Sequence, residues 1–453
     1  VIARVTDLRE LSSVVEVLGH LPAGTDALPG ELVIDSRSVV PGSVFAALPG
    51  TQTDGHRYLD DAVSRGAAAV LVRADRVAAD DAPSAVCTIR CSDVLQAFQE
   101  LASLLLRRRP ELKRVGITGS AGKTGTKEAL VAILSRRFRT AMTRGNFNSA
   151  IGLPLEVLRF PEDAEVAVLE MGMNRPGEIA ELASIARPDP VVITNIGAAH
   201  AGMVGGPNGV LREKLSIVWS PEVTVVAPGD DPRVRSALAH HHGPLRWHDT
   251  SNIRESARGV SIQLPEGNIE LPDQGLHHAR NAVSAIRASE LFGCTFADWK
   301  QALETMGPLP GRAQITRGPW TLIDDTYNAA PASMLAGIRM AKALAVRESL
   351  ELWLVLGEMA ELGEWAIPAW ESVFAELAQL AAGRVILVGG VPDPRPDLAV
   401  RVERAADSRE LESLIRPRPG VLVYLKAANA VGLGEVARSL KAELQESGEA
   451  SRA

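Results

Sequence analysis

Cysteine is scarce in this chain: Cys87, Cys91 and Cys294 are the only three among 453 residues. They cannot pair completely, so no disulfide framework is expected and a reducing cytoplasm fits best. Cys87 and Cys91 lie close enough to suggest half a zinc site, but no second ligand pair follows at suitable spacing, which leaves them structural. Long apolar runs are missing as well, which argues against a membrane-spanning helix. Near the start, Arg4, Asp7, Arg9 and Glu10 interrupt the apolar core that a secretory leader needs. Nor is there an excess of positive charge: 48 Lys and Arg stand against 55 Asp and Glu, a net charge of -7. That balance argues against a dominant nucleic-acid or anionic-membrane surface and favours small-molecule partners. The basic runs Arg107-Arg108-Arg109 and Arg136-Arg137 fall at expected helix ends, where cations suit the helix dipole. Low-complexity tracts are absent too.

What is present is a globular, enzyme-like composition, 46% apolar and 23% charged, in a chain long enough for about two to four domains. The most informative stretch is Arg114-Val115-Gly116-Ile117-Thr118-Gly119-Ser120-Ala121-Gly122-Lys123-Thr124. An apolar strand runs into a Gly-rich turn ending in Gly-Lys-Thr, and an amphipathic helix follows. Gly119 and Gly122 let backbone N–H groups of Ser120 and Ala121 close around an oxyanion. Lys123 can reach the outer phosphates, and the Thr124 hydroxyl can ligate Mg²⁺. The general phosphate loop would place Gly at 117, where this chain has Ile, so the loop is a shorter variant.

Three domains are expected, all α/β. Residues 1–110 read as a small N-terminal α/β domain with strands at 31–34, 43–48 and 67–72. Residues 111–309 read as a central phosphate-loop ATPase domain, its continuous apolar strands (Val115-Gly116-Ile117-Thr118, Val166-Ala167-Val168-Leu169-Glu170, Val191-Val192-Ile193-Thr194, Thr224-Val225-Val226-Ala227) being those of a parallel sheet covered on both faces. After the break Gly307-Pro308-Leu309-Pro310-Gly311, residues 310–453 restart the alternation as a doubly wound, Rossmann-like domain, and the stretch from Glu446 reads as a frayed tail.

Ligands of open α/β sheets bind at the carboxyl ends of the strands. Glu170-Met171-Gly172 and Thr194-Asn195-Ile196-Gly197-Ala198-Ala199-His200 follow such ends, which makes Glu170 and His200 candidate Mg²⁺ ligands, directly or through water. Gly275-Leu276-His277-His278-Ala279-Arg280-Asn281 opens an alanine-rich helix whose His and Asn offer hydrogen bonds to an adenine edge. Arg312 suits a phosphate, and the Asp324-Asp325 pair suits ribose hydroxyls. The run His240-His241-His242 reads as an exposed loop.

With these residues assembled, the chain resembles the Mur ligases of peptidoglycan synthesis, and within them the members that add D-alanyl-D-alanine to UDP-N-acetylmuramoyl-tripeptide. The resemblance rests on Asp35-Ser36-Arg37, Pro41-Gly42 and Asp54-Gly55-His56, then the phosphate loop, Thr143-Arg144-Gly145-Asn146-Phe147-Asn148, Ile151-Gly152-Leu153-Pro154, Glu170-Met171-Gly172 and Thr194 to His200. It continues through Gly275 to Asn281, Gly311-Arg312, Asp324-Asp325-Thr326-Tyr327-Asn328 and Gly357-Glu358-Met359-Ala360-Glu361-Leu362-Gly363. It implies an ATP- and Mg²⁺-dependent carbon–nitrogen ligase acting as a monomer, in which the first domain holds the UDP-sugar, the central domain ATP, and the third closes over both. By resemblance, Ser36 and Arg37 contact the UDP moiety, and Asn146, Asn148 and Asn328 belong to the substrate site. Gly119 to Thr124, Asn281, Arg312 and Asp325 hold the nucleotide. Lys123, Glu170, His200 and Lys214 carry the chemistry, with Thr124, Glu170, His200 and a carbamylated Lys214 at magnesium. A folylpolyglutamate synthase-like ligase is one alternative, and a non-catalytic paralogue that binds UDP-muramoyl peptide is another.

Against the family pattern, Gly125 replaces a hydroxyl residue, Ser149 an Asn, Ser216 a Glu and Ala330 an Asn. Trp370 stands where a His is expected, and Lys426-Ala427-Ala428-Asn429 where Lys-Gly-Ser-Arg is. The last two fall in the domain expected to receive the incoming dipeptide.

Overall fold

The computed structural model describes residues 3–4, 15–18, 27–28, 30–50, 53–79, 81, 83, 86–256, 259–307, 309–380, 382–394 and 402–450. Asp7, Arg9, Glu10 and Pro308 lie outside the described residues. The chain forms two compact units. One comprises residues 1–116, 138–173 and 177–189, and the other 117–137, 174–176 and 190–453.

In the first unit a five-stranded sheet runs, in spatial order, Val15–Leu18, Cys87–Cys91, Ala69–Arg73, Val44–Ala46 and Leu32–Val33. The first pair is antiparallel and the others parallel. Val44, Phe45 and Ala46 are all buried, as expected of a strand covered on both faces. Phe45, Val70 and Val72 pack with Val33, Val39 and Ala62 into one core. Cys87 and Cys91 end one strand of this sheet and are buried, and burial pushes the Cys91 thiol up to about 12, so it stays protonated and inert. The same unit contains the parallel pair Thr140–Met142 and Val166–Glu170. The strand Lys113–Thr118 begins in this unit, where the Lys113 N–H donates to the Glu165 carbonyl, and ends in the other.

The second unit continues with the parallel strands Val191–Ile193, Val225–Pro228 and Leu245–His248. The Thr194 N–H donates to the Thr118 carbonyl, placing the end of the phosphate-loop strand beside Val191–Ile193. An antiparallel three-stranded sheet, Ile253–Ser256, Gly259–Leu264 and Gly267–Pro272, follows, and the sequence reading missed it. Its signal was there: Ile269 and Leu271 are buried while Asn268 and Glu270 are exposed, the period-two pattern of a half-buried strand. The C-terminal sheet runs Gln314–Arg317, Thr321–Asp324, Val421–Lys426, Glu351–Gly357, Arg384–Val388 and Val402–Ala405, parallel except for its first pair. Leu352, Leu354 and Leu356 face one core with Ile338 and Phe374, and Trp353 and Val355 face another with Leu411 and Leu440, so both faces are covered. The final helix, Leu433–Ala450, extends past Glu446 into the stretch expected to fray; residues 451–453 lie outside the described ones. Among the described residues, no helix is long and apolar enough to cross a membrane.

Candidate functional site

The phosphate loop is braced by the strand end beside it. Gly119 adopts φ 149°, and a Cβ there would sit 1.9 Å from Thr194 Oγ1, so the close approach requires glycine. The Thr194 hydroxyl donates to the Ala121 carbonyl at 2.6 Å, and Asn195 clasps Ala121 from both sides, accepting its N–H at Oδ1 and donating from Nδ2 to its carbonyl, each at 3.0 Å. The Gly197 N–H donates to Ser120 Oγ at 2.8 Å. Gly122, left-handed at φ 81°, caps the helix Lys123–Leu134, which directs its positive end at the loop. Lys123 Nζ donates to the Gly119 carbonyl at 2.8 Å, which keeps its charge at the mouth of the loop. Thr194, Asn195 and Gly197, at the strand end that leads to His200, thus hold the loop in shape.

Asn281 projects from the helix Leu276–Ser289 onto the first turn of the phosphate-loop helix. A Cβ at Gly122 would lie 2.2 Å from its Oδ1, and one at Gly125 2.4 Å from its Nδ2. A side chain at 125 would therefore require the end of the Asn281 side chain to shift. His278, beside it, accepts the Gly275 N–H at Nδ1, 3.3 Å, which leaves Nε2 as the protonated nitrogen, and its ring also hydrogen-bonds the Arg312 backbone. Burial drives its pKa down to about 4, so it is a neutral ring that positions Arg312. The Arg312 guanidinium lies 4.0 Å over the Tyr327 ring and donates from Nη2 to the Thr124 hydroxyl at 2.9 Å. Gly125, Ala129, His278, Asn281, Leu309 and Arg312 line a pocket of about 190 Å³ beside the loop. Its apolar walls with a few polar groups are those of a small-molecule site.

Asp325 is buried and its Oδ2 is engaged by Lys426 Nζ at 2.7 Å and by the Tyr424 hydroxyl at 2.8 Å. Lys426 also donates to the Asn328 carbonyl at 3.0 Å, fixing the turn that leaves the Asn328 side chain exposed. Lys426 is the residue that this run shares with the Lys-Gly-Ser-Arg pattern; the departures are confined to Ala427, Ala428 and Asn429. Trp370, which stands where the family pattern has a His, is a core residue, 2% exposed, its ring centroid 5.5 Å from that of Phe374. Its helix, Ala366–Leu377, turns Ala369, Trp370, Val373 and Phe374 to the same apolar face.

His200, left-handed at φ 63°, brings Nδ1 against the Glu361 carboxylate. The His200 hydrogen bond, with the charges of Lys123 and Lys214 behind it, holds the Glu361 carboxyl below its usual range. Lys214 is fully buried at the end of the helix Pro207–Leu215. Glu361 was not among the candidates read from the sequence. Its signal was its place in Gly357 to Gly363, and its left-handed φ of 65°, rare for a non-glycine, marks the constraint.

In the first unit, Asp35 caps a short turn by accepting the Arg37 N–H and grips the exposed Arg37 side chain, while Ser36 is buried. Asp54 and His56 form a loop staple: Asp54 accepts from His56 Nδ1 at 2.7 Å, and Nε2 accepts the Arg73 N–H at 2.9 Å. Asn148 Nδ2 donates to Glu170 Oε1 at 2.8 Å, and the exposed Asn146 stands two residues earlier. Among the described residues, no cluster of three or more His, Cys, Asp or Glu is arranged to hold a metal.

Three family models match the chain in order: the Mur ligase family catalytic domain over residues 31–105, the Mur ligase middle domain over 117–289 and the Mur ligase glutamate ligase domain over 311–441. The UDP-N-acetylmuramoyl-tripeptide--D-alanyl-D-alanine ligase of Bacillus subtilis is 32% identical, covering 90% of this chain and 92% of its own. The crystal structure of MurF from Acinetobacter baumannii matches with a TM-score of 0.83 at 25% identity, covering 97% of this chain and 98% of that one. MurF ligase from Thermotoga maritima in complex with ADP matches with a TM-score of 0.78 at 25% identity, covering 93% and 100%.

Proposed function

The chain belongs to the Mur ligase family, and on that premise we propose that it joins D-alanyl-D-alanine to UDP-N-acetylmuramoyl-tripeptide at the expense of ATP. The observation that carries this reading is the near full-length similarity to ligases of that printed activity. The braced phosphate loop supports the ATP half of the reaction.

A carboxylate is a poor electrophile at neutral pH. The γ-phosphoryl group of ATP is therefore transferred first to the terminal carboxylate of the tripeptide, giving an acyl phosphate and ADP. Lys123, at the mouth of the loop, offsets the charge that spreads over the transferring group. The free amine of D-alanyl-D-alanine then attacks the acyl carbon, and inorganic phosphate leaves as the amide forms and a proton is released. Arg312 and Asn281 orient the nucleotide, with Asp325 acting from its buried pair with Lys426. Ser36 and Arg37 take the UDP moiety, and Asn146, Asn148 and Asn328 the muramoyl peptide.

Magnesium fits this set of donors. Mg²⁺ is usually held by one or two protein groups together with substrate phosphates and water, not by a cage of side chains. In the second unit the Thr124 hydroxyl and His200 are donors of that kind, and in the first so is the Glu170 carboxylate, which accepts from Asn148. A buried ammonium at Lys214 is costly, whereas a carbamate there would be an anion suited to the ion. When bound, magnesium neutralises phosphate charge.

On this reading the domains divide at about residues 110 and 309, and the protein works as a monomer in the cytoplasm. The test is ADP release by purified protein with ATP, Mg²⁺ and UDP-muramoyl-tripeptide, with D-alanyl-D-alanine, single D-amino acids and glutamate as competing acceptors. Dipeptide preference is expected. A preference for glutamate would favour the folylpolyglutamate synthase-like reading, and no turnover with any acceptor the non-catalytic one.

A further inference from the structure

Resting on that reading of the substrate loops, we infer that Glu156 and Arg159 are positioning residues that tie the loop at Ser36 and Arg37 to the loop at Asn146 and Asn148. Glu156 is 1% exposed, yet it faces two guanidinium groups. It accepts from the Arg144 N–H at 3.0 Å, from Arg144 Nε at 2.9 Å and Nη2 at 3.3 Å, and from Arg159 Nη1 at 3.3 Å. Arg144 opens the loop that carries Asn146 and Asn148, so the buried carboxylate holds that loop by both its backbone and its first side chain. Arg159 Nη2 donates to the Leu32 carbonyl at 3.2 Å, and its Nε lies 3.4 Å from the Glu31 carboxylate. Leu32 begins the strand that delivers Asp35, Ser36 and Arg37. The path from one loop to the other thus consists of three short links, Arg144 to Glu156, Glu156 to Arg159 and Arg159 to Leu32, all within a single compact unit.

The chemistry of the links favours positioning over mere stability. A buried ion pair gains little net stability over apolar residues of the same volume, because desolvation offsets its attraction. It does fix geometry, since the fork of Arg159 meets carbonyl and carboxylate in fixed directions. A ligand held at both loops at once depends on their separation, and small misplacements of binding groups weaken it steeply.

The test replaces the pair with apolar residues of similar size, Glu156→Leu with Arg159→Met, which leaves no buried charge behind. Thermal melting and steady-state kinetics are compared with wild type. A folded double variant is expected to raise KM for UDP-muramoyl-tripeptide about tenfold, while KM for ATP and for the dipeptide and kcat stay within about twofold. Unchanged KM for the nucleotide-peptide, or an equal rise in all three constants, overturns the proposal. If the double variant fails to fold, Arg159→Lys decides by the same ratio, because it keeps the charge but loses the fork; in Lys, wild-type KM values count against the bridge. Wild-type protein that does not turn over UDP-muramoyl-tripeptide at all removes the functional reading instead, an outcome distinct from an active wild type with an indifferent variant.

Discussion

A methyl group at position 125 would sit 2.4 Å from Asn281 Nδ2, which makes the glycine and the asparagine one unit. Gly125→Ala is expected to leave stability within about 1 kcal/mol, because the helix propensity it gains offsets the shift forced on the Asn281 side chain, and to weaken ATP binding by displacing Asn281. Asn281→Ala, which empties that space, should weaken nucleotide affinity as much with Gly125→Ala as without it; melting and ATP titration of the single and double variants check both halves. Lys214 is a second matter for single residues. A fully buried lysine whose charge acts on the Glu361 carboxylate would ordinarily be a cation, and the carbamate reading inverts its sign. Lys214→Ala is expected to lose most activity, with partial recovery on adding a small carboxylate to the buffer. Lys214→Arg should not substitute, since a guanidinium stays positive and cannot ligate a metal. A fully active Lys214→Ala enzyme would falsify the carbamate while leaving the ATP site standing.

At the scale of elements, the helix Leu276–Ser289 does more than carry Asn281. Its first turn holds the half-buried His277 and His278, whose rings lie 3.9 Å apart, and desolvation lowers both pKa values, His277 well below the ordinary 6.5 and His278 to about 4. Between those values the unfolded chain binds more protons than the native one, so stability is full above about pH 6.5 and falls as pH drops towards 4. For His278 alone the loss is up to about 3 kcal/mol. Replacement by a neutral isostere, His278→Gln, should flatten the melting temperature between pH 6.5 and 4.5. The depressed carboxylates, such as Glu361, contribute below that window, since their stabilisation is lost only as pH falls through values under 4.5. An unchanged slope in His278→Gln would mean that another group titrates there.

For the molecule as a whole, two contacts in the second unit join residues matched by the middle-domain model to residues matched by the C-terminal one: Thr124 with Arg312, and His200 with Glu361. The first is made by the phosphate loop itself and the second lies within the field of its Lys123, so on the proposed reading the nucleotide site is complete only when these parts of the chain come together. Arg312→Lys keeps the charge but gives up the planar fork and the stack on Tyr327. It is expected to lower kcat/KM for ATP about tenfold or more with little change in melting temperature. Activity within about twofold of wild type would mean that Arg312 serves only the apo protein.

The phosphate loop, the strand ends at Glu170 and His200 and the three-part α/β plan were legible in the sequence because each depends on local rules: glycines where the backbone must approach closely, continuous apolar runs for buried parallel strands, and turn residues between them. The sheet at residues 253–272 was equally local and was overlooked. What tertiary structure alone decided are the meetings of residues far apart in the chain. Asn195 clasps Ala121, Asn281 fills the space over Gly125, Glu361 takes His200, Lys426 takes Asp325, and Arg159 spans from Glu156 to Leu32. The same rule put Trp370 into the core, since a large apolar ring on the inward face of a helix is buried whatever residue the family pattern has there. Local pattern specifies which backbone a segment can adopt, but a side chain's partner depends on which distant segment packing brings within a few ångströms, and no spacing along the chain encodes that distance.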